Sequence, residues 1–192
     1  MKHTTAFLIL FSSFCMPAYA QNDPRGIKLS VETRVTNYLQ NGYEGQFFLV
    51  LPNSRWSVGL GVGGQDVEGS ARDLLFDGTE LDALDIRLTW FVSGAVRYHF
   101  TGSLEGFYAE LSAGAEEFRV KGNNQTQFIY NGFIVPLIGY RWFPWGSDGF
   151  FVNPKLGGIF TFARESERAI EESTYELQPF FPSPGLSLGW QF

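Results

Sequence analysis

The residues best suited to acid–base chemistry are the two histidines, His3 and His99. A hydrolytic site needs a nucleophile, a general base and a path for the substrate. His3 belongs to a leader that we expect to be removed, so His99 is the candidate base. It follows Arg97 at an interval of two, which in a strand places both side chains on one face. Because we expect that face to be enclosed, we interpret His99 as structural and the protein as not an enzyme.

Patterns for metals, phosphates and nucleic acids are also missing from the sequence. The acidic residues Asp73, Asp77, Glu80 and Asp82 lack the alternation and the glycine of a calcium loop. The glycines between positions 59 and 64 continue a strand instead of opening a helix, so they do not form a phosphate-binding loop. The net charge of −6 is unsuited to a phosphate backbone. We therefore expect no metal, no cofactor and no nucleic acid.

The first twenty residues have the layout of a secretory signal. Lys2 precedes an apolar run, and Ala18-Tyr19-Ala20 supplies the small residues of a cleavage site before Gln21. The apolar run is shorter than the roughly 20 residues that a membrane-spanning helix needs. We expect residues 1–20 to be a signal peptide and residues 21–192 to form one domain, with no cysteine after cleavage because Cys15 is the only one.

Alternation with a period of two dominates the rest of the chain. From Leu84 to Phe100 the even positions are almost all apolar, whereas the odd positions include Asp85 and Arg87. Such a segment has one apolar face and one polar face, and it is long enough to cross a membrane at a tilt. Similar segments occur at about 27–36, 47–51, 56–63, 84–100, 107–114, 127–143, 150–162 and 186–192. A change of phase near 115–118 indicates a β-bulge.

These eight segments predict an all-β fold, an antiparallel up-and-down transmembrane β-barrel. No connection is long and helical enough to be a crossover, so neighbours in sequence are expected to pair. The second and sixth segments are apolar on both faces, which leaves their boundaries open. If the apolar faces meet lipid, a set of charged side chains is enclosed in the lumen: Glu32, Arg34, Arg87, Arg97, Glu110, Arg141 and Lys155. We expect them to pair and to fill the lumen.

Aromatic residues favour the same topology. With the N-terminus on the periplasmic side, short turns follow the second, fourth and sixth strands, and the longer acidic connections at about 68–82 and 165–173 lie opposite. One set of aromatic residues then falls at the periplasmic ends of the strands: Trp56, Tyr98, Phe100, Phe107, Tyr140, Trp142, Phe150 and Trp190. Aromatic rings prefer the boundary between hydrocarbon and headgroups, so we predict a periplasmic aromatic belt.

The end of the chain carries the most specific motif. Leu186, Leu188, Trp190 and Phe192 alternate up to the terminal phenylalanine. This segment resembles the terminal signature by which outer-membrane barrels are passed to their assembly machinery. Together with the leader and the eight segments, the whole chain resembles the small eight-stranded barrels of the OmpA/OmpX type. The hairpin from Gly139 to Pro154 is also similar to one in uncharacterised outer-membrane proteins.

The resemblance implies a protein of the bacterial outer membrane, in contact with its lipid and lipopolysaccharide and with the barrel assembly machinery. We expect a structural or surface-interaction role with a lumen filled by side chains. Three alternatives stay open: a lipid-modifying membrane enzyme, which would require a Ser or Asp near His99 at a membrane-exposed edge; a narrow channel; and a soluble exported barrel of lipocalin type, with its apolar face inward.

Overall fold

The computed structural model describes residues 26–101, 103–146, 148–162, 168–170 and 172–192. The expected signal peptide, residues 1–20, lies outside the described residues. Within these ranges, eleven strands, two short helices and one 3₁₀ turn follow one another. They are β1 (Lys28–Arg34), α1 (Val35–Tyr38), β2 (Tyr43–Val50), β3 (Trp56–Asp66), α2 (Gly69–Leu75), β4 (Phe76–Thr79), the 3₁₀ turn (Leu81–Ala83), β5 (Asp85–His99), β6 (Gly106–Lys121), β7 (Thr126–Arg141), β8 (Gly149–Phe162), β9 (Arg168–Ile170), β10 (Ser173–Leu177) and β11 (Phe180–Gln191). No helix in the described ranges has the length and apolar character needed to cross a membrane.

Eight of these strands form a closed antiparallel barrel in the order β1-β11-β8-β7-β6-β5-β3-β2. The predicted eight-stranded barrel is thus confirmed. The first and last strands close it, with Ser30 opposite Gln191 and Arg34 opposite Ser187. The short connections between β2 and β3, between β5 and β6 and between β7 and β8 lie at one end, which we call the turn end. The opposite end is called the loop end.

The structure fixes the two strands whose boundaries the sequence left open. In β2 the even residues face inward, so Glu44 and Phe48 are buried while Phe47 and Leu49 are exposed. In β7 the odd residues face inward, and an apolar layer of Phe133, Val135 and Leu137 lies inside the barrel. Both faces of β7 are apolar because the lumen is apolar at this level, and periodicity alone could not tell the faces apart.

The predicted change of phase lies in a different strand from the one expected. The register between β5 and β6 shifts between Leu88 and Trp90, which leaves Thr89 as the extra residue of a bulge, opposite the Glu117 to Phe118 step. On the loop-end side of the bulge, Ile86 and Leu88 therefore point inward and are buried. The expectation that the even positions from 84 to 100 all face outward was wrong for this part of β5.

The loop end carries a folded cap. Strands β4, β10 and β9 form a small separate sheet, in which Thr79 pairs with Thr174 and Phe76 pairs with Leu177. The apolar face of this sheet packs on the loop-end part of the lumen, which we call the upper lumen. Together they form one hydrophobic core: Val67, Leu75, Phe76, Leu84, Ile86, Leu88, Phe118, Val120, Ile129, Ile170, Tyr175, Leu177 and Phe181. The longer acidic connections expected at about 68–82 and 165–173 thus include helix and strand, although residues 163–167 and 171 lie outside the described part.

Candidate functional site: the lumen network and the outer face of the barrel

Arg97 is the centre of the ion network in the lumen. It is fully buried, and its Nη2 lies 2.7 Å from Glu32 Oε1 and 2.6 Å from Glu110 Oε2. Its Nε also donates to Glu110 Oε2 at 2.8 Å. Two carboxylates from different walls of the barrel therefore share one guanidinium, and Arg97 links β1, β5 and β6 across the lumen.

The network continues toward the loop end through alternating charges and amides. Lys155 Nζ lies 3.5 Å from Glu32 Oε1 and donates to Gln46 Oε1 at 3.1 Å. Gln46 Nε2 donates to Glu44 Oε1 at 2.9 Å, and Arg34 Nε lies 3.3 Å from Glu44 Oε2. A chain of contacts thus runs from Glu110 to Arg34 inside the barrel.

Arg141 lies on the turn-end side of this network. Its Nη1 donates to Gln191 Oε1 at 3.3 Å, and its Nη2 is 3.9 Å from Glu32 Oε2. The structure thus brings all of the expected lumen charges together except Arg87. Because Arg87 lies beyond the bulge, it points outward at the loop end, where it pairs with Asp66 at 2.8 Å and is partly exposed. Its placement in the lumen has to be corrected for that reason.

Aromatic rings hold the guanidinium groups from the sides. Arg97 lies over the rings of Phe48 and Tyr108 at 3.8 and 4.2 Å, and Arg141 lies over Phe151 at 4.3 Å. Tyr108 needs a glycine beside it, since a Cβ at Gly139 would lie 2.2 Å from its hydroxyl oxygen. Small residues on one strand therefore make space for the rings of the next.

Several members of the site were missed by sequence reasoning. Glu44, Gln46 and Asn153 complete the network, and Asn153 accepts a hydrogen bond from Tyr108 at 2.7 Å while donating to Glu32 at 2.8 Å. Asn153 shares the polar face of β8 with Lys155, which was a usable signal. Glu44 precedes the segment predicted as the second strand, so no pattern pointed to it.

His99 has a serine partner inside the barrel. Ser57 Oγ and His99 Nε2 are 3.0 Å apart, and each residue is 1% exposed. His99 Nδ1 has no hydrogen-bond partner among the described residues. A nucleophile and a base are therefore adjacent, but they meet neither a carboxylate that would orient the imidazole nor an open surface.

The outer face of the barrel is apolar between two rings of aromatic side chains. All of the residues of the expected aromatic belt lie at the turn end, where Trp56 and Tyr98, and Phe107 and Tyr140, form ring pairs at 4.9 Å. A second ring, which the sequence reasoning missed, lies at the loop end: Tyr43, Trp90, Tyr130, Phe162 and Phe180. Each of these five side chains is exposed. We call the two rings the turn-end girdle and the loop-end girdle.

Between the girdles, no Asp, Glu, Lys or Arg of the described barrel residues faces outward. Leu60, Leu111, Ile138 and Leu156 on this face are each more than half exposed. Contact of a large apolar surface with water is unfavourable, so an outward band of this kind requires a non-aqueous environment or a partner that covers it. The barrel is thus apolar outside and ionic inside at this level.

The C-terminal motif lies on the same outer face. Trp190 pairs with Val31 of β1 and with Phe150 of β8, and Leu186 and Trp190 are exposed. Phe192 donates its backbone N–H to the carbonyl of Leu29 at 2.8 Å. The motif therefore belongs to the seam at which the first and last strands close the barrel; its role in assembly stays a prediction.

Within the described ranges, no group of three or more His, Cys, Asp or Glu residues could hold a metal ion.

The comparisons with known proteins bear on the fold alone. No family model and no curated protein matches the chain. Among solved structures, the chain is similar to the N-terminal β-barrel domain of Pseudomonas aeruginosa OprF, with 16% identity, a TM-score of 0.43, and coverage of 86% of this chain and 96% of that one. It is also similar to Ail, the attachment invasion locus protein of Yersinia pestis, with 14% identity, a TM-score of 0.41 and the same coverage.

Proposed function

We propose that this protein is an integral barrel of the bacterial outer membrane, exported by the signal peptide 1–20, with a lumen closed by side chains and a structural or surface-interaction role carried by its cap. The observation that supports this proposal is the outward band without charges, which is combined with an enclosed ion network. A soluble lipocalin-type barrel would need the opposite arrangement, with apolar residues inside and charges outside at this level.

The spacing of the girdles matches a membrane. Tyr130 and Tyr140 of β7 lie about ten residues apart, one in each girdle, which corresponds to about 34 Å along a strand. A tilt of about 40–45° reduces this to a height of about 25 Å, the height of the apolar band of outer-membrane barrels. The short turns lie at the periplasmic end and the cap at the outer surface in this orientation.

The interior supports a closed barrel. The lumen is filled by Arg97, Arg141 and Tyr108, each no more than 1% exposed. The apolar layer of Phe133, Val135 and Leu137 lies on the loop-end side of these three residues. Permeation would require the charged contacts and this layer to separate together. A role in passing solutes is therefore disfavoured, and contacts of the cap with other molecules are favoured.

Membrane partitioning and gel mobility test the proposal together. We expect the protein to be extracted from membranes only by detergent, and its unboiled form to migrate differently from its boiled form. Release by osmotic shock would contradict the membrane assignment. Purified protein in planar bilayers is expected to give no steady conductance, and a stable single-channel conductance would favour the narrow channel.

The Ser57 and His99 pair favours one second candidate, a membrane hydrolase. Its geometry suits nucleophilic chemistry, because base and nucleophile are within hydrogen-bond distance. Burial of both residues argues against it, since a lipid ester could not reach Oγ. Labelling of the folded protein by a fluorophosphonate probe, lost in the Ser57→Ala variant, would establish the enzyme; no labelling is expected.

A further inference from the structure

Glu116 is a buried carboxylate outside the ion network. It lies on β6 with Phe91 opposite it on β5 and Asn131 opposite it on β7. Glu116 is 6% exposed and Asn131 is 4% exposed, so both side chains point into the upper lumen. Glu116 Oε1 and both polar side-chain atoms of Asn131 have no hydrogen-bond partner among the described residues.

Apolar side chains separate this pair from the positive charges of the lumen. The core under the cap lies on one side, the layer containing Phe133 lies on the other, and Phe91 and Ile159 pack against both. Arg119, three residues further along β6, is bound to Asp85 at 3.3 Å. Within the described part of the chain, no cationic side chain compensates Glu116. Without a cation, a carboxyl group in such surroundings is favoured in its neutral, protonated form, so a metal ion bound there would take the place of the proton.

We propose that Glu116 and Asn131 form a binding site for one small monovalent metal cation. Cross-strand neighbours have Cβ atoms about 5 Å apart, so a carboxylate and an amide oxygen can share one ion. An amide oxygen is available whichever way the Asn131 side chain is turned. A single carboxylate balances a single positive charge, whereas a divalent ion would leave a net charge in an apolar layer.

Sodium-dependent stability tests the site. The folded protein in detergent micelles is titrated with urea over a range of NaCl concentrations, with choline chloride keeping the ionic strength constant. Choline is too large to be enclosed. For one site, the ratio of folded to unfolded protein at fixed urea is expected to rise about tenfold for each tenfold rise in sodium above its dissociation constant.

Two variants locate the effect. Glu116→Gln should remove the sodium dependence, because it removes the charge and keeps the shape. Glu117→Gln is the matched control, since Glu117 is adjacent in sequence and 9% exposed but on the other side of the strand; it should keep the dependence. An anomalous difference peak between Glu116 and Asn131 in a crystal soaked in rubidium chloride would support the site directly.

Two results would overturn the proposal. The first is a wild-type unfolding midpoint that does not respond to sodium, and the second is a response that Glu116→Gln retains.

Discussion

Replacing Arg97 by Met should destabilise the barrel strongly, because the ion network in the lumen is built around this guanidinium. Arg97 compensates both Glu32 and Glu110. Without it, Glu32 keeps Lys155 at 3.5 Å, but Glu110 loses the one cation that lies within 4 Å of it in the described part of the chain. One buried charge is left unpaired, so the free energy of unfolding should fall by about 3–5 kcal/mol.

The assay is urea unfolding of the purified protein in lipid vesicles or micelles, followed by tryptophan fluorescence and by gel mobility without boiling. Arg87→Met is the matched control. It removes the same side chain from a partly exposed pair with Asp66, and loss of an exposed pair costs about 0–1 kcal/mol. The Arg97→Met, Glu110→Gln double variant should recover stability relative to Arg97→Met, since it removes the carboxylate left unpaired.

Equal losses for Arg97→Met and Arg87→Met would refute the reasoning, because they would mean that burial does not distinguish the two pairs. A double variant less stable than Arg97→Met would refute it as well. In that case Glu110 would contribute through contacts other than its charge.

Three more predictions can be checked by similar measurements. Gly139→Ala should lower the free energy of unfolding by about 1–3 kcal/mol through overpacking, because its Cβ would meet the ring of Tyr108. Gly94→Ala is the control, since the space at its Cβ is open, and it should not lower the free energy of unfolding. Equal urea midpoints for the two variants would contradict this prediction. Leu111→Arg should cost about 2–4 kcal/mol in lipid vesicles if this residue faces the bilayer. Leu74→Arg, at a leucine of α2 that is about equally exposed, should cost little, and similar losses would count against a lipid environment for the outward band. Replacing Trp190 and Phe192 by Ser should reduce the yield of folded protein in outer membranes; an unchanged yield of the heat-modifiable form would show that the C-terminal motif is dispensable.

The sequence was informative where the two sides of a strand differ in polarity. In the turn-end half of β5, Val92 and Val96 are exposed while Ser93 and Arg97 are buried, and this contrast predicted both the fold and the core of the lumen network. The contrast disappears where the lumen is itself apolar, as in β7, so the orientation of that strand could not be derived.

Two other features were not predictable for a different reason. A bulge moves every following side chain to the other face. Because the apolar residues Ile86 and Leu88 suit either face, the pattern of β5 carries no sign of the bulge at Thr89, and the sequence places the change of phase at 115–118 of the neighbouring strand instead. The cap depends on pairing between Thr79 and Thr174, which are far apart in the chain. Strands of three to five residues are too short for their alternation to be recognised in the sequence.

The extra residue at Thr89 has a consequence for how the protein sits in its surroundings. Toward the turn end the cross-section is apolar outside and ionic inside, and toward the loop end it has the opposite arrangement, with apolar residues inside and ions at the rim. The switch occurs beside Trp90, which belongs to the loop-end girdle. If the barrel spans a membrane as proposed, the inserted residue fits β5 to both surroundings: with Thr89 deleted, Ile86 and Leu88 would turn outward and Arg87 toward the core.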